Sequence, residues 1–379
     1  MNYIKDKLSC MTKKEAVSSL KEKHQNIIAA IDKSEGVYIW GTGQLGKFVY
    51  AQCEKNNVFV HGYIDNNKDN LSAEKKIFSC DILEKKDTVI IASFYCVEIA
   101  DQLKSLGIKN YIYYEDLALI LDGFDTYYQA FQGIHEELET NKAEYMHLYD
   151  ILADDLSREI YADIINYRIN LDTKYTIDAL NLSLRHGSQY FDKVITEKID
   201  KNFIFFDVGA FDGESTLDFI NYIGKYRKIY FFEPDKNIIE DAKKRLQNKE
   251  NIIFVQAGVS EKTSTAYYDA IGGGAGTIAD SGSEIIQTVA LDDYIEDGRV
   301  YIKMDIEGHE MYALKGMENS IKRYKPLLAI SVYHQCGDMH KLVDMILSWN
   351  PDYKVYMRHY TNTYADTVCY FVDDTFTVI

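Results

Sequence analysis

The sequence lacks paired cysteines, long apolar runs and clusters of basic residues. Its six cysteines are scattered without any Cys-x-x-Cys pair, so neither a zinc knuckle nor a disulfide framework is indicated, and a reducing cytoplasm is expected. The longest apolar run, Val89 to Val97, has the length of a buried strand and falls short of the roughly 20 residues that span a bilayer. The formal charge of -17, from 42 basic and 59 acidic residues, would repel a phosphate backbone. We therefore expect a soluble cytoplasmic protein with no membrane span and no nucleic-acid substrate.

The 379 residues suffice for two domains, each with its own core. Short apolar runs alternate with amphipathic stretches in two separate parts of the chain, which is typical of parallel sheets with crossover helices. Between them lies a proline-free stretch with apolar residues at helical spacing. The predicted fold class is α/β, with two Rossmann-like doubly wound sheets joined by a helical connector. The predicted boundaries are 1–35 for an N-terminal helical segment, 36–116 for a small nucleotide-binding-type module, 117–201 for the connector and 202–379 for the second sheet domain.

A glycine turn follows the first strand of the second sheet, in the run Asp207-Val208-Gly209-Ala210-Phe211-Asp212-Gly213. At the carboxyl end of such a strand Gly209 lets the backbone approach a ligand, and amides at the helix start bind a carboxylate. Acids such as Asp207 suit the cationic amino and sulfonium groups of S-adenosylmethionine. Glu233 ends the next strand, where it would accept hydrogen bonds from ribose hydroxyls, and Ala257 follows the third strand near the expected adenine. The alternative is a purely structural strand-to-helix turn.

A second polar group follows the fourth strand, in Lys303-Met304-Asp305-Ile306-Glu307-Gly308-His309-Glu310. Asp305 and Glu307 share strand parity, so they face the same side of the sheet if the strand continues, and a methyl acceptor would lie there. His334 comes just past the fifth strand. The alternatives are a helix start capped by acids and a structural histidine.

Several motifs, in this order along the chain, resemble the FkbM-type methyltransferases, a family of S-adenosylmethionine-dependent enzymes with a Rossmann-like fold. They are Phe206-Asp207-Val208-Gly209-Ala210, Phe232-Glu233-Pro234, Val289-Ala290-Leu291-Asp292-Asp293, Ile302 to Glu310, Tyr333-His334 and Tyr356-Met357-Arg358-His359-Tyr360. The resemblance covers about residues 202–372, and the Lys-x-Asp-x-Glu-Gly element is its most discriminating part.

The resemblance implies methylation of a sugar or natural-product hydroxyl, with S-adenosyl-L-methionine as cofactor. The implied cofactor contacts are Asp207, Gly209, Ala210, Asp212, Glu233, Ala257 and Asp305. On the acceptor side, Glu307 and His334 are the candidate bases and Asp305 orients one of them or the substrate. A divalent ion on Asp305, Glu307 or Asp292 is an alternative way to lower the hydroxyl's pKa, but no metal is expected. His309 and the loop Gly272 to Gly276 depart from the family pattern, so the acceptor pocket is expected to differ.

A second glycine turn lies near the N-terminus, where Gly41, Gly43 and Gly46 follow a short apolar strand and open a helix. Asp65 ends the next strand about 20 residues on, as in dinucleotide-binding turns. The stretch resembles small Rossmann-like modules found beside sugar-modifying enzymes. It is predicted either to bind a nucleotide or nucleotide sugar, or to serve only packing or dimerisation.

The leading prediction is an O-methyltransferase acting on a carbohydrate, such as a bacterial surface glycan or its nucleotide-linked precursor. One rival is a nicotinamide-dependent oxidoreductase or epimerase that uses the N-terminal turn, although no Tyr-x-x-x-Lys pair lies near it. Another is a non-catalytic assembly protein. Homo-oligomerisation through the connector is also considered.

Overall fold

The computed structural model describes residues 13–32, 35–70, 72, 76–271, 275–279, 282 and 284–373. Contacts divide the chain into an N-terminal unit of residues 1–142 and 165–177 and a C-terminal unit of residues 143–164 and 178–379. The predicted connector therefore contributes residues to both units. The first three residues of the predicted glycine-rich loop, Gly272 to Gly274, lie outside the described residues.

The N-terminal unit contains one five-stranded parallel sheet in the order β3-β2-β1-β4-β5. In chain order its elements are α1 (Lys13–Lys23), α2 (Gln25–Asp32), β1 (Val37–Trp40), α3 (Gln44–Lys55), β2 (Val60–Ile64), β3 (Ile77–Phe78), β4 (Val89–Ile91), α4 (Cys96–Ser105), β5 (Tyr111–Tyr113), α5 (Tyr114–Ile120) and α6 (Ile134–Thr140). The strands are short and rich in β-branched residues, and Trp40, Ile64 and Ile91 pack with Leu103 of α4 in the core. Because all strands run parallel, the turns after β1 and β4 lie at one edge of the sheet.

Helices form the first part of the C-terminal unit. They are α7 (Lys142–Ile151), α8 (Asp155–Asn170) and α9 (Lys174–Leu184), and all three also contribute residues to the N-terminal unit. A short antiparallel pair follows, β6 (Gly187–Ser188) with β7 (Phe191–Asp192), within the stretch predicted to lack strands.

The central sheet of this unit has seven strands in the order β10-β9-β8-β15-β16-β18-β17, and a separate sheet has the order β11-β14-β12-β13. The elements after β7 are α10 (Lys193–Thr196), β8 (Ile204–Val208), α11 (Glu214–Ile223), β9 (Lys228–Phe232), α12 (Lys236–Arg245), β10 (Ile252–Val255), β11 (Gly258–Val259), β12 (Ser264–Ile271), β13 (Ala275–Ala279), β14 (Glu284–Val289), β15 (Val300–Met304), α13 (Glu310–Lys315), α14 (Glu318–Tyr324), β16 (Leu327–Ser331), α15 (Asp338–Trp349), β17 (Lys354–His359) and β18 (Thr367–Val372).

Strand β8 lies in the middle of the seven-stranded sheet, paired in parallel with β9 and β15. It is buried at every position, as expected of a strand covered on both faces, and Asp207 is the one charged residue in its otherwise apolar sequence. Phe205 stacks on Phe219 of α11 and on Tyr301 of β15. This packing positions the end of β8 and the turn that follows at Gly209. The parallel strands and the helices that connect them confirm the predicted α/β class.

No helix among the residues that the structure describes is long and apolar enough to cross a membrane.

Candidate active site

A cavity of ≈ 320 Å³ opens at the carboxyl edge of the seven-stranded sheet. Four chain segments form most of its wall: the turn after β8, the end of β9, residues 257–259 and the loop after β15. Tyr268 and Ile278 of the four-stranded sheet add two apolar side chains. The cavity lies where ligands bind in doubly wound folds, beyond the ends of adjacent parallel strands.

Gly209 joins two of these segments closely. Its φ is +74°, and a Cβ at this position would lie 1.9 Å from the carbonyl oxygen of Asp305. The amides of Gly209 and Ala210 both donate to the carbonyl oxygen of Phe232, at 3.2 and 3.0 Å. Only glycine therefore allows the turn after β8 to contact both the loop after β15 and the end of β9. These two amides are not available for the cofactor carboxylate that the sequence placed at the turn.

Asp207 supports the turn and does not line the cavity. Its Oδ2 accepts hydrogen bonds from Ser215 and Thr216 of α11, at 2.7 and 2.6 Å. Its Oδ1 lies 3.2 Å from Lys303 Nζ, and the Asp207 side chain is completely buried. Ser215, Thr216 and Lys303 thus surround this carboxylate, and the cofactor contact predicted for Asp207 stays a prediction.

Lys303 links β15 to the same turn. Besides the ion pair with Asp207, its ammonium donates to the carbonyl oxygens of Val208 and Gly209, at 3.4 and 2.5 Å. The side chain is 4% exposed, so these contacts replace most of its hydration. The lysine of the Lys-x-Asp-x-Glu-Gly element thus holds the glycine turn in place.

Two other predicted cofactor contacts also lie off the cavity wall. Asp212 accepts from the amide of Glu214, at 3.1 Å, and forms an exposed ion pair with Arg245. Ala210 packs in an apolar cluster with Phe231. Of the seven predicted cofactor residues, the four that line the cavity are Gly209, Glu233, Ala257 and Asp305.

Glu233 ends β9 with its carboxyl group at the cavity wall. The amide of Asp235 donates to its Oε1, at 2.8 Å. Burial raises the pKa of Glu233 to about 7, although the amides of Asp235 and Phe211 oppose this shift. At neutral pH the group is therefore poised between an acceptor-only carboxylate and a protonated acid.

The loop after β15 does not continue the strand, which ends at Met304. Glu307 has a φ of +56°, in the left-handed region, so the shared strand parity predicted for Asp305 and Glu307 is wrong. Both side chains nevertheless line the cavity. The turn brings them together instead, around the ring of His334.

His334 is surrounded by carboxylates. Its Nε2 lies 3.4 Å from Asp305 Oδ1 and 3.6 Å from Glu307 Oε2, and its Nδ1 lies 3.0 Å from Glu310 Oε1. Burial would lower the pKa of His334, but Glu310, Asp305 and Glu307 together raise it to about 10. The imidazole is therefore protonated at neutral pH, and the prediction that it serves as a base does not fit this charge state.

Asp305 and Glu307 differ in their own electrostatics. Burial opposes ionisation of Asp305, but His334 and Lys303 lower its pKa, together with a hydrogen bond from Tyr190. Burial raises the pKa of Glu307, and His334 only partly offsets this. Asp305 is thus a fixed anion, whereas Glu307 is the better proton acceptor of the pair.

Sequence reasoning missed the side chains that orient this group. Tyr190 donates to Asp305 Oδ2, at 2.7 Å, and Tyr333 donates to Oδ1, at 3.2 Å. His309 lies on the cavity wall with Nε2 3.0 Å from Ser260 Oγ, and burial lowers its pKa. Tyr190 falls in the run Gln189 to Asp192 just before the second sheet domain, and no spacing rule links it to Asp305.

The N-terminal turn gives its three glycines different surroundings. A Cβ on Gly41 would lie 2.2 Å from Ala92 O, and one on Gly46 would lie 2.0 Å from Gly41 O, whereas one on Gly43 would meet nothing within 4 Å. Asp65 accepts from Thr42, from the amide of Asn67 at 2.8 Å and from Asn70 at 2.9 Å. Burial opposes its ionisation, but these donors lower the pKa of Asp65. Gly41 and Gly46 thus serve close packing, and only Gly43 faces open space.

Comparison with known proteins gives two family matches. Residues 207–355 match the Methyltransferase FkbM domain, and residues 33–112 match the family described as C2185-like, N-terminal. The first range contains the glycine turn, Glu233, the Lys303 to Glu310 segment and His334. The chain carries a methyltransferase domain of the FkbM family.

Two relatives illustrate what the chain resembles. It is 21% identical over 169 residues to the hexuronic acid methyltransferase AglP of Haloferax volcanii, covering 42% of this chain and 69% of that protein. The crystal structure of the methyltransferase FkbM from Methylobacillus flagellatus matches with 23% identity and a TM-score of 0.75, covering 97% of this chain and 99% of that one. The second likeness extends through both units and shows a shared fold.

The FkbM domain makes the chain an enzyme of the methyltransferase class. The non-catalytic alternative is therefore set aside. The comparisons give no support to the oxidoreductase alternative.

Proposed function

We propose that the FkbM domain transfers a methyl group from S-adenosylmethionine to a hydroxyl group of a carbohydrate. The observation that carries the proposal is the arrangement of one cavity, with Glu233 at the tip of β9 and Asp305 and Glu307 in the loop after β15. The first part suits a nucleoside-like cofactor, and the second suits an acceptor that offers hydroxyl groups.

The cofactor side is built by main chain and one acid. Gly209 contributes backbone to the cavity wall, and Glu233 is positioned to accept hydrogen bonds from both ribose hydroxyls. Ala257, Gly258 and Val259 offer small apolar surface beside it, suited to the flat adenine ring. Phe211 adds an exposed aromatic ring to the wall.

The acceptor side supports a hydroxyl group as the methylated atom. The described residues that line the cavity include no lysine or arginine, so a phosphate-rich acceptor gains no favourable charge there. Carboxylates accept hydrogen bonds from hydroxyl groups, which sugars offer in numbers. The name of the relative AglP, a hexuronic acid methyltransferase, points to the same substrate class.

Methyl transfer to oxygen requires alignment and removal of one proton. The sulfonium already activates the methyl carbon, so holding the acceptor oxygen in line with it at contact distance supplies much of the rate. We assign proton removal to Glu307, because its pKa is raised and it is half-buried at the cavity wall. Asp305 and the charged ring of His334 hold Glu307 and the acceptor in position.

The cofactor assignment is tested by equilibrium titration of the full chain with S-adenosylmethionine. Glu233→Ala is expected to weaken binding about 10- to 100-fold, because it removes hydrogen bonds to a charged acceptor worth about 1.5–3 kcal/mol. Asp212→Ala is the matched control, since it removes an acid from the same edge that does not line the cavity. Equal affinity of the two variants would contradict the assignment.

A further inference from the structure

Phe211 offers an open aromatic ring on the wall of the cavity. Its side chain is 42% exposed, whereas the other phenylalanine and the tyrosine of the described wall, Phe232 and Tyr268, are 1% and 3% exposed. An exposed apolar residue on a flat surface needs no explanation, but this one forms part of a concave wall, where ligands bind. Among these three rings, Phe211 therefore has the most surface to offer a ligand.

The backbone of Phe211 adopts a conformation that a bulky side chain disfavours. Its φ is +47°, in the left-handed region, where such a residue is an outlier. Glycine takes this φ without the steric cost. Strained residues of this kind concentrate at ligand-binding sites, where the side chain serves a function that a relaxed residue would not. The conformation therefore points to a role for the ring.

Main-chain hydrogen bonds hold the turn around Phe211 on both sides. The amide of Gly213 donates to the carbonyl oxygen of Ala210, at 2.9 Å, which closes the turn. Ala210 itself donates to the carbonyl oxygen of Phe232, at 3.0 Å, and the carbonyl oxygen of Gly213 accepts from Leu217 of α11, at 3.0 Å. These contacts need no ligand, so the backbone that carries the ring is preorganised.

Phe211 also lies beside the acid that we assign to the ribose. Burial raises the pKa of Glu233, and the amide of Phe211 is among the groups that oppose this shift. Both residues line the same cavity. A ribose bound to Glu233 would therefore place the nucleoside half of the cofactor next to Phe211.

We propose that the ring of Phe211 packs against the nucleoside half of S-adenosylmethionine and strengthens cofactor binding. The identity of this ligand rests on the proposed function. A phenyl ring gains contact with a flat base and with the apolar face of a ribose, and it needs no charge on the ligand. The contact accounts for an exposed phenylalanine at a position whose backbone suits glycine.

Three ligands distinguish a contact with the nucleoside from a contact with the sulfonium. S-adenosylmethionine carries a cationic sulfonium, S-adenosylhomocysteine carries a neutral thioether, and adenosine lacks the amino-acid part altogether. All three contain the nucleoside. A ring that packs on the nucleoside contributes to the affinity of all three, whereas a ring facing the sulfonium would favour S-adenosylmethionine through a cation–π contact.

The test combines calorimetric titration of the full chain with these three ligands and thermal unfolding without ligand. Phe211→Ala and Phe211→Gly both remove the ring, and each is expected to weaken all three ligands about 10- to 100-fold. Phe211→Tyr keeps an aromatic ring and should bind nearly as well as the wild type. Because glycine tolerates a positive φ, Phe211→Gly should unfold at a higher temperature than Phe211→Ala, although the two bind equally weakly.

Tyr267→Ala is the matched control. It removes a tyrosine of the same unit that is 47% exposed but does not line the cavity, so its affinity for the three ligands should equal that of the wild type. Wild-type affinity in Phe211→Ala, or weakening confined to S-adenosylmethionine, would overturn the proposal. Failure of the wild type to bind any of the three ligands would instead overturn the cofactor of the proposed function itself.

Discussion

Lys303 Nζ lies 3.2 Å from Oδ1 of Asp207, and both side chains are almost completely buried. The pair joins β15 to the turn after β8, and Lys303 also holds two carbonyl oxygens of that turn. Burying two charges costs solvation energy, so an ion pair of this kind adds little net stability. Removing one partner is nevertheless strongly destabilising, because it leaves the other charge buried without compensation.

Lys303→Met is therefore expected to lower the free energy of unfolding by about 3–5 kcal/mol, because the Asp207 carboxylate stays buried without its counter-charge. Urea unfolding followed by circular dichroism measures the change. Lys244→Met is the control, since it breaks an exposed ion pair with Asp241 and should leave the unfolding midpoint unchanged. Similar midpoints for the two variants would show that Lys303 does not stabilise the turn after β8.

Gly209→Ala is expected to destabilise the turn by a steric clash, since the new Cβ would lie 1.9 Å from the backbone oxygen of Asp305. Gly224 has a similar positive φ of +72° and nothing within 4 Å of its would-be Cβ. Gly224→Ala thus isolates the conformational cost, about 1–2 kcal/mol. Thermal unfolding should show a larger loss of stability for Gly209→Ala than for Gly224→Ala, together with loss of S-adenosylmethionine binding. Equal losses of stability would contradict the steric clash.

The pKa of Glu233, about 7, predicts a pH-dependent cofactor affinity. Ribose hydroxyls donate to an ionised carboxylate, so affinity for S-adenosylmethionine should rise as pH increases through about 7 and level off above it. The same group should destabilise the ligand-free fold as pH rises from its unfolded pKa of 4.5 to about 7, because the native state retains the proton longer.

Calorimetric titration between pH 5.5 and 8.5, an interval of about 1.5 units on either side of that pKa, checks the binding prediction. Glu233→Gln should bind more weakly at high pH and lose this part of the pH dependence. An unchanged pH profile in Glu233→Gln would assign the dependence to another group.

Gly209 and Glu233 were predicted at the cavity because each follows from a local pattern, a glycine turn and an acid at a strand tip. Asp207 does not line the cavity, and the partners around it, Ser215, Thr216 and Lys303, come from other elements. The short-range pattern shows that an acid is present but not which side chains surround it after folding.

On the acceptor side, too, the local pattern predicted only part of the site. Asp305, Glu307 and His334 were predicted to lie together, but the parity argument assumed a strand that ends at Met304. The high pKa of His334 arises from three carboxylates whose convergence depends on the turn at Glu307, which no periodicity reveals. Predicting the charge of this histidine required the tertiary contacts.

The N-terminal turn remains a predicted nucleotide site, and its glycines make separate predictions. Gly41→Ala should destabilise the N-terminal unit, because its Cβ would meet Ala92 O at 2.2 Å, whereas Gly43→Ala should leave stability nearly unchanged. Thermal unfolding distinguishes these outcomes. Gly43→Glu, which fills the open space with a negative side chain, should then abolish any binding of nucleotides or nucleotide sugars, and absence of binding in the wild type as well would leave the turn a packing device.

The central claim is methyl transfer to a carbohydrate hydroxyl in the cavity between Glu233 and Glu307. It is tested most directly by incubating the full chain with S-adenosylmethionine labelled in its methyl group and a panel of sugars and nucleotide sugars, with products resolved by mass spectrometry. The account predicts a labelled methyl ether on at least one carbohydrate, formed about 10²–10⁴-fold more slowly by Glu307→Gln. Label on a nitrogen or on a non-carbohydrate acceptor alone, or equal rates for wild type and Glu307→Gln, would contradict it.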